Sequence, residues 1–376
     1  MTWMDVGVTV DARTTGHPDW QQPQPAGFAQ TTFNNPLYDG ADPWVTYHGG
    51  YYYLIQATAN GIEVSKSATL TRKGETHQVW CAPRRGWNPA QIWAPELHHI
   101  RGRWYIYYAA SDGRNANHRM GVLESEGDDP TGPYVDRGML YTGDHVQTGR
   151  NNRWAIDGTV LQLHNELYFI WSGWEDHRDI QHLYIAKMSD PCTIASNRVR
   201  LCHNCCHEWE CVGETRLGRG LNEAPQVLVR NGRVCLIYSC SGSWEPSYKL
   251  GMLHMPAEAD PMQPSNWTKV DQPVFQSSGN VFGVGHCCFT TSPDGSEDWI
   301  IYHAKKRRSH GWARDVRAQR FTWDINGMPV FGKPVDPRLP LRRPAGDELP
   351  ISLRCHAPGL GGGSIPASLA ASPDAA

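Results

Sequence analysis

Hydrophobic and polar positions along the chain follow one phrase that recurs five times. An alternating segment leads to a turn, and an aromatic-rich apolar run follows: Tyr51-Tyr-Tyr-Leu-Ile, Trp104-Tyr-Ile-Tyr-Tyr, Leu167-Tyr-Phe-Ile-Trp, Val234-Cys-Leu-Ile-Tyr and Trp299-Ile-Ile-Tyr. A period near two predicts strands, and the absence of any long 3.6-residue period argues against helices. Asn231-Gly232 and His48-Gly49-Gly50 supply the positive-φ positions of tight hairpins, and Pro293-Asp294-Gly295 supplies a longer turn. A third strand is expected after three of the hairpins, at Gly121-Val-Leu-Glu-Ser, Leu183-Tyr-Ile-Ala-Lys and Leu250-Gly-Met-Leu-His.

The five copies open at Asp42, Ala94, Asp157, Glu223 and His286. A repeat of about 50 to 65 residues suits a four-stranded blade with its loops. The expectation is an all-β, five-bladed β-propeller spanning residues 34–335. Residues 1–33 read as an extended N-terminal arm, and residues 336–376 as a C-terminal tail, partly disordered because of its Gly-, Ala- and Ser-rich end. A terminal strand should complete the last blade, with Pro329-Val-Phe-Gly or the arm near Phe33 as candidates.

Blade openings line a propeller's central channel, so aligning the copies places Asp42, Asp157, Glu223 and His286 around one axis. Three are carboxylates. Carboxylates repel one another and resist burial, so a purely structural protein has little reason to gather three at one mouth. Glycoside hydrolysis requires such a set: one carboxyl kept protonated for the leaving oxygen and another ionised to act on water or carbon. The bland alternative, Asp as a turn former, weakens when the residues recur at matching repeat positions.

Composition narrows the picture further. The 376 residues carry a net charge of −3, which excludes a strongly basic nucleic-acid or membrane surface. The aromatics are 16 Trp and 15 Tyr against 8 Phe, and Trp both packs blades and stacks on sugar rings. Eleven cysteines favour an oxidising, extracellular location, although residues 1–20 show no signal-peptide pattern. The run Cys202-His203-Asn204-Cys205-Cys206-His207-Glu208-Trp209-Glu210-Cys211 offers metal ligands, but its spacing matches no paired zinc site. Disulfides are the favoured reading there, ahead of free thiols and then of a metal. Lys305-Lys-Arg-Arg308 reads as a solvated loop, with contact to an acidic pectic substrate as the alternative.

The motifs Asn35-Pro-Leu-Tyr-Asp-Gly-Ala-Asp-Pro-Trp-Val, Ile92-Trp-Ala-Pro-Glu-Leu-His, Ala155-Ile-Asp-Gly-Thr-Val, Leu221-Asn-Glu-Ala-Pro-Gln, Gly283-Val-Gly-His and Arg317-Ala-Gln-Arg-Phe-Thr-Trp-Asp together resemble glycoside hydrolase family 43. The resemblance covers roughly residues 34–335, in the family's order. It implies an inverting hydrolase with Asp42 as general base, Glu223 as general acid and Asp157 as the residue that raises and orients the acid. Acid and base should then stand about 6.5–9.5 Å apart. Trp93, His286 and Arg317 are the implied substrate-binding residues, and Glu96 is expected to support its blade. No cofactor is required, with a structural calcium or other cation beside His286 as an option. The implied partner is a plant cell-wall oligosaccharide or polysaccharide, from which terminal L-arabinofuranose is released. β-Xylosidase and endo-arabinanase activities are the alternatives within the family. A non-catalytic glycan-binding propeller and a scaffold for protein partners are the alternatives outside enzymology, and a retaining β-fructofuranosidase is disfavoured because its Asn-Asp-Pro-Asn-Gly and Glu-Cys-Pro signatures are absent.

Overall fold

The structure is a computed structural model and describes residues 31–213 and 220–347. The expected N-terminal arm up to residue 30 and the tail beyond residue 347 lie outside the described residues. Helix among the described residues is limited to three short 3₁₀ turns, and none is long and apolar enough to cross a membrane.

Each of the five sequence phrases forms the inner hairpin of an antiparallel sheet. Blade 1 runs Trp44–His48, Tyr51–Thr58, Gly61–Ser67 and Glu75–Cys81. Blade 2 runs Ala90–Ile100, Arg103–Ser111, Arg119–Ser125 and Tyr134–Met139. Blade 3 contains Ala155–Leu163, Glu166–Trp174 and Gln181–Asp190, edged by Thr193–Ile194 and Val199–Cys202. Blade 4 runs Asn222–Arg230, Arg233–Cys240, Lys249–Pro256 and Thr268–Lys269. Blade 5 contains Phe282–Thr291, Asp298–Lys305 and Arg314–Trp323, and its outer strand is Tyr38–Asp39 from the start of the chain. The hairpin turns fall where the sequence puts them, with Asn231 at φ 51° and Gly232 at φ 71°.

The second strands are apolar without alternation because both of their faces are covered. In blade 2, Tyr107 and Ala109 pack toward blade 3, whereas Ile106, Tyr108 and Ala110 pack toward blade 1. The same division gives one core cluster for each adjacent pair of blades, including the pair formed by blades 5 and 1. A closed ring of sheet-on-sheet contacts therefore replaces a single central core, and each fully buried large side chain contributes about 1.5–3 kcal/mol.

The ring is closed by the residues around Asn35. Leu37 N–H donates to Val316 O at 2.8 Å, extending the Tyr38–Asp39 pairing. Upstream, the Asn35 side chain continues the ladder: its Nδ2 donates to Ala318 O at 2.9 Å and its Oδ1 accepts from Ala318 N–H at 3.0 Å. Pro329–Val330, the other closure candidate, also pairs with the third strand of blade 5. Outside residues 34–335, Thr32–Phe33 pairs with Leu341–Arg342. Phe33 packs on Trp299, ring centroids 6.1 Å apart, within the core between blades 5 and 1.

Asn35 is buried, so removing its amide strands two backbone groups away from water. Asn35→Ala is expected to lower unfolding stability by about 2–6 kcal/mol, at about 1–3 kcal/mol per stranded group. The urea midpoint measures this, and a midpoint equal to that of the parent protein would show that the side-chain bridge contributes nothing.

Candidate active site

The inner strands share one distortion. A non-glycine residue takes positive φ near the start of each: Asp42 at 52°, Ala94 at 42°, Asp157 at 54°, Ala224 at 49° and His286 at 43°. In blades 2 to 5 the pairing register shifts around this residue, between Trp93 and Glu96, Ile156 and Thr159, Glu223 and Gln226, and Gly285 and Cys288. In blade 1 regular pairing begins two residues after Asp42, at Trp44. A bulge of this kind re-aims side chains and frees backbone groups from the ladder.

This register corrects one expectation from the sequence. Asp42, Asp157 and His286 are equivalent, but the fourth member of their set is Ala224, not Glu223. Glu223 lies one residue earlier, at the position occupied by Trp93, Ile156 and Gly285 in blades 2, 3 and 5. Because successive strand residues face opposite ways, only a bulge lets both positions contribute to one cavity. The freed amides also join the blades. The Asp42 N–H reaches His303 of blade 5, the Ala224 N–H donates to Asp157 Oδ2 of blade 3 at 3.1 Å, and the His286 N–H donates to Ser239 Oγ of blade 4 at 2.8 Å.

A cavity of about 480 Å³ opens at this end of the channel, and Asp42, Trp93, Asp157, Glu223 and His286 all line it. Its size falls in the range of small-molecule sites. Trp93 stands against His118, with ring centroids 3.8 Å apart, and presents an indole to the cavity.

Arg317, expected to bind substrate, is not among the residues lining this cavity. It is buried and paired with Asp315, with Nε donating to Oδ1 at 2.6 Å and Nη2 to Oδ2 at 3.2 Å. Arg314 occupies the cavity instead and donates from Nη1 to Asp42 Oδ1 at 3.1 Å. The reason is strand geometry. An offset of three residues turns a side chain to the other sheet face and moves it about 10 Å along the strand. Arg314 shares a face with Val316 and Ala318, toward blade 1, whereas Arg317 lies on the opposite face.

The carboxylates experience opposite fields. Burial alone would raise the Asp42 pKa, but His286, Arg314 and His303 outweigh it and hold the group well below the ordinary carboxylate range. Asp42 Oδ1 lies 3.2 Å from Nδ1 of both His286 and His303. His303 Nδ1 is also 3.1 Å from the Asp42 amide nitrogen, and burial keeps this imidazole neutral by lowering its pKa to about 3.

Glu223 lies at the other extreme. Burial raises its pKa to about 7, and the Asp42 charge adds to this against hydrogen bonds from Tyr248 and Ser243. The Tyr248 hydroxyl donates to Glu223 Oε1 at 2.7 Å, and burial keeps that phenol protonated. Asp157 is raised well above the ordinary value by burial and by the charges of Glu223 and Asp42. Asp157 and Glu223 therefore titrate as a pair that retains a proton near neutrality, while Asp42 is ionised.

Tyr248, His303 and Arg314 were not legible as site residues in the sequence. Tyr248 reaches Glu223 across a bare strand of blade 5: a Cβ at Gly285 would lie 2.2 Å from Tyr248 Cε1. The Tyr248 and His303 rings then stack at 5.5 Å and 15°, linking the partner of Glu223 to the partner of Asp42. Glu96 acts as expected, outside the cavity: Oε2 bonds His98 Nε2 at 2.8 Å and Oε1 accepts from Gln226, joining blades 2 and 4. No group of three His, Cys, Asp or Glu side chains among the described residues could hold a metal, the Cys202–Cys211 segment included. Cys202 and Cys206 of that segment are free thiols, which departs from the disulfide expectation at those two positions.

The profile of Glycosyl hydrolases family 43 matches residues 33–329. An "Alpha-L-arabinofuranosidase 43" from Humicola insolens is 32% identical over 326 residues, covering 82% of this chain and 65% of its own length. An "Extracellular exo-alpha-(1->5)-L-arabinofuranosidase" from Streptomyces avermitilis is 33% identical over 321 residues, covering 81% of this chain and 64% of its own. The chain thus spans just under two thirds of those two relatives. The crystal structure of an alpha-L-arabinofuranosidase from Lactobacillus brevis is similar at a TM-score of 0.73 and 33% identity, covering 82% of this chain and 98% of that one. Five blades, three carboxylates around one mouth and a profile match across nearly the whole propeller lead to one assignment: the chain belongs to glycosyl hydrolase family 43.

Proposed function

We propose that the protein is an inverting exo-α-L-arabinofuranosidase that releases terminal L-arabinofuranose from arabinan, arabino-oligosaccharides or arabinosylated hemicellulose. The observation that carries this reading is the separation of the Asp42 and Glu223 pKa values within one cavity, one held ionised and the other raised to about 7. Opposed environments of this kind assign acid and base. The arabinofuranosidase names of the Humicola, Streptomyces and Lactobacillus proteins support the choice of sugar. The extracellular name of the Streptomyces relative supports a secreted enzyme acting on plant cell-wall glycans.

In the proposed reaction, a water beside Asp42 attacks the anomeric carbon and gives its proton to the carboxylate. Glu223 passes its proton to the glycosidic oxygen as the carbon–oxygen bond breaks. Asp42 is a weak base in the resting site, and it gains basic strength relative to the water as positive charge builds on the sugar. Asp157 holds the Ala224 amide and shares the proton of the acid pair, so it keeps Glu223 oriented and supplied. Proton NMR of the first-formed anomer tests the stereochemistry: arabinose appearing first with the substrate's own configuration would overturn inversion. Equal or greater turnover of aryl xyloside than of aryl arabinofuranoside would overturn the sugar assignment.

Glu223→Gln is expected to lower kcat on arabino-oligosaccharides about 10²–10⁴-fold, the range for a lost general acid. The same variant should lose far less on a dinitrophenyl arabinofuranoside, whose leaving group needs no proton. Asp42→Asn should fail on both substrates, and steady-state kinetics on the two distinguishes the roles.

The pH dependence follows from the sign of each shift. A general acid with a raised pKa works while protonated, so kcat/KM should fall as pH rises through about 7. Asp42 stays ionised far below that point and contributes no acidic limb in the working range. Tyr248→Phe removes a hydrogen bond that favours the ionised form of Glu223, so the basic limb should move upward. A pH–rate profile measures the shift, and an unmoved or lowered limb would contradict this assignment of the limb.

A further inference from the structure

Trp312 is the one large aromatic side chain among the described residues that is mostly exposed, at 61% of its surface, and it lines the cavity. It sits in the blade 5 loop between Asp298–Lys305 and Arg314–Trp323. Its neighbour is Trp244, in the blade 4 loop after Arg233–Cys240, with ring centroids 5.7 Å apart. The Arg314 guanidinium carbon lies 5.6 Å from the Trp312 ring centroid, so one residue borders both the general base and this aromatic pair.

The pair is held in place. Lys305, expected to be a solvated loop residue, is buried, and its Nζ donates to Trp244 O at 2.7 Å and to Gly311 O. Gly311 N–H donates to the same Trp244 carbonyl at 2.9 Å. The Trp244 indole folds back over Gly242, where a Cβ would come within 2.6 Å of Cε2. Two loops from different blades are thus joined so that two indoles face the mouth.

The position relative to the acid identifies what the indoles would meet. Ser243, adjacent to Trp244, hydrogen-bonds Glu223. Glu223 gives its proton to the leaving oxygen, so the departing part of the substrate lies on the Glu223 side of the scissile bond. The terminal sugar lies toward the carboxylate ring and Trp93. An indole face matches the apolar C–H face of a sugar ring, and aromatic walls with a few polar groups are the usual lining of such sites.

We propose that Trp244 and Trp312 form the binding platform for the sugar unit on the leaving-group side of the scissile bond, so that the enzyme prefers chains with a neutral pentose there over simple alkyl arabinofuranosides. This rests on the arabinofuranosidase reading above. Loss of one stacking face corresponds to about tenfold in kcat/KM.

The test compares α-1,5-linked arabinobiose with methyl α-L-arabinofuranoside, using the full chain. Trp312→Ala is expected to reduce kcat/KM on arabinobiose about tenfold more than on the methyl glycoside, mainly through KM. Trp312→Phe should restore most of the difference, and Gly242→Ala, which displaces Trp244, should reproduce part of it. An equal fall on both substrates overturns the proposal, because Trp312 would then shape the terminal-sugar pocket itself. No change on either also overturns it, including the case in which only the oligomeric state changes. Wild-type inactivity on both arabinosides would instead sink the arabinofuranosidase reading. Xylobiose and methyl xyloside then replace the pair, and the same outcomes decide the platform.

Discussion

The positive-φ residue at the start of each inner strand, which forms a bulge in blades 2 to 5, is the constraint on which the site depends. A residue held at positive φ, of the kind that costs about 1–3 kcal/mol, recurs in all five blades, at Asp42, Ala94, Asp157, Ala224 and His286. Regular pairing would send neighbouring residues to opposite sheet faces and lock every amide in its own ladder. The bulge instead turns two consecutive positions toward the channel mouth and releases amides to hold side chains of the preceding blade. Asp157 is fixed by such an amide from blade 4, and Asp42 and His286 donate theirs to His303 and Ser239. The closed ring of interblade cores makes these distortions tolerable, since each strand is packed on both faces and cannot relax alone.

That geometry separates the charges. Asp42 faces Arg314 and two imidazoles, whereas Glu223 and Asp157 face each other in an apolar setting with a phenol and a serine hydroxyl. Three carboxylates of similar intrinsic acidity therefore take different protonation states within one cavity. The stacked Tyr248 and His303 rings connect the two ends of this arrangement. They form a spacer between the residue that bonds Glu223 and the residue that meets Asp42. The proposed inverting reaction needs the separation of acid and base to be held, and packed rings hold it better than flexible polar chains would.

Much of the fold was legible because a propeller is a repeat of local patterns. Two faces buried in every second strand produce unbroken apolar runs such as Leu167–Trp171 and Val234–Tyr238, and hairpins need glycine or asparagine at their turns. The closing strand was less legible. Tyr38–Asp39 spans only two residues, and the Asn35 amide acts as ladder in place of backbone, which no periodicity reveals. Arg317 was a misplacement of three residues with a large consequence, because strand parity sends it to the opposite face from Arg314. The Cys202–Cys211 segment carried a strong compositional signal with no metal-holding group among the described residues, since ligand types in sequence do not ensure convergence in space.

By itself the sequence determined the blade count and the inner hairpin of each blade, and it singled out three carboxylates that line one cavity, because each of these is encoded in residue type and spacing along the chain. The tertiary structure decided what those carboxylates are. Their pKa values depend on burial and on neighbours drawn from other blades: Arg314 and His303 beside Asp42, and Tyr248 beside Glu223. It also decided that Glu223 occupies the Trp93 position of its repeat and not the Asp42 position, a one-residue difference that only the bulge register exposes. Contacts between residues more than two hundred positions apart, such as Asp42 with His303, arise from ring closure, and ring closure leaves no local mark on the chain.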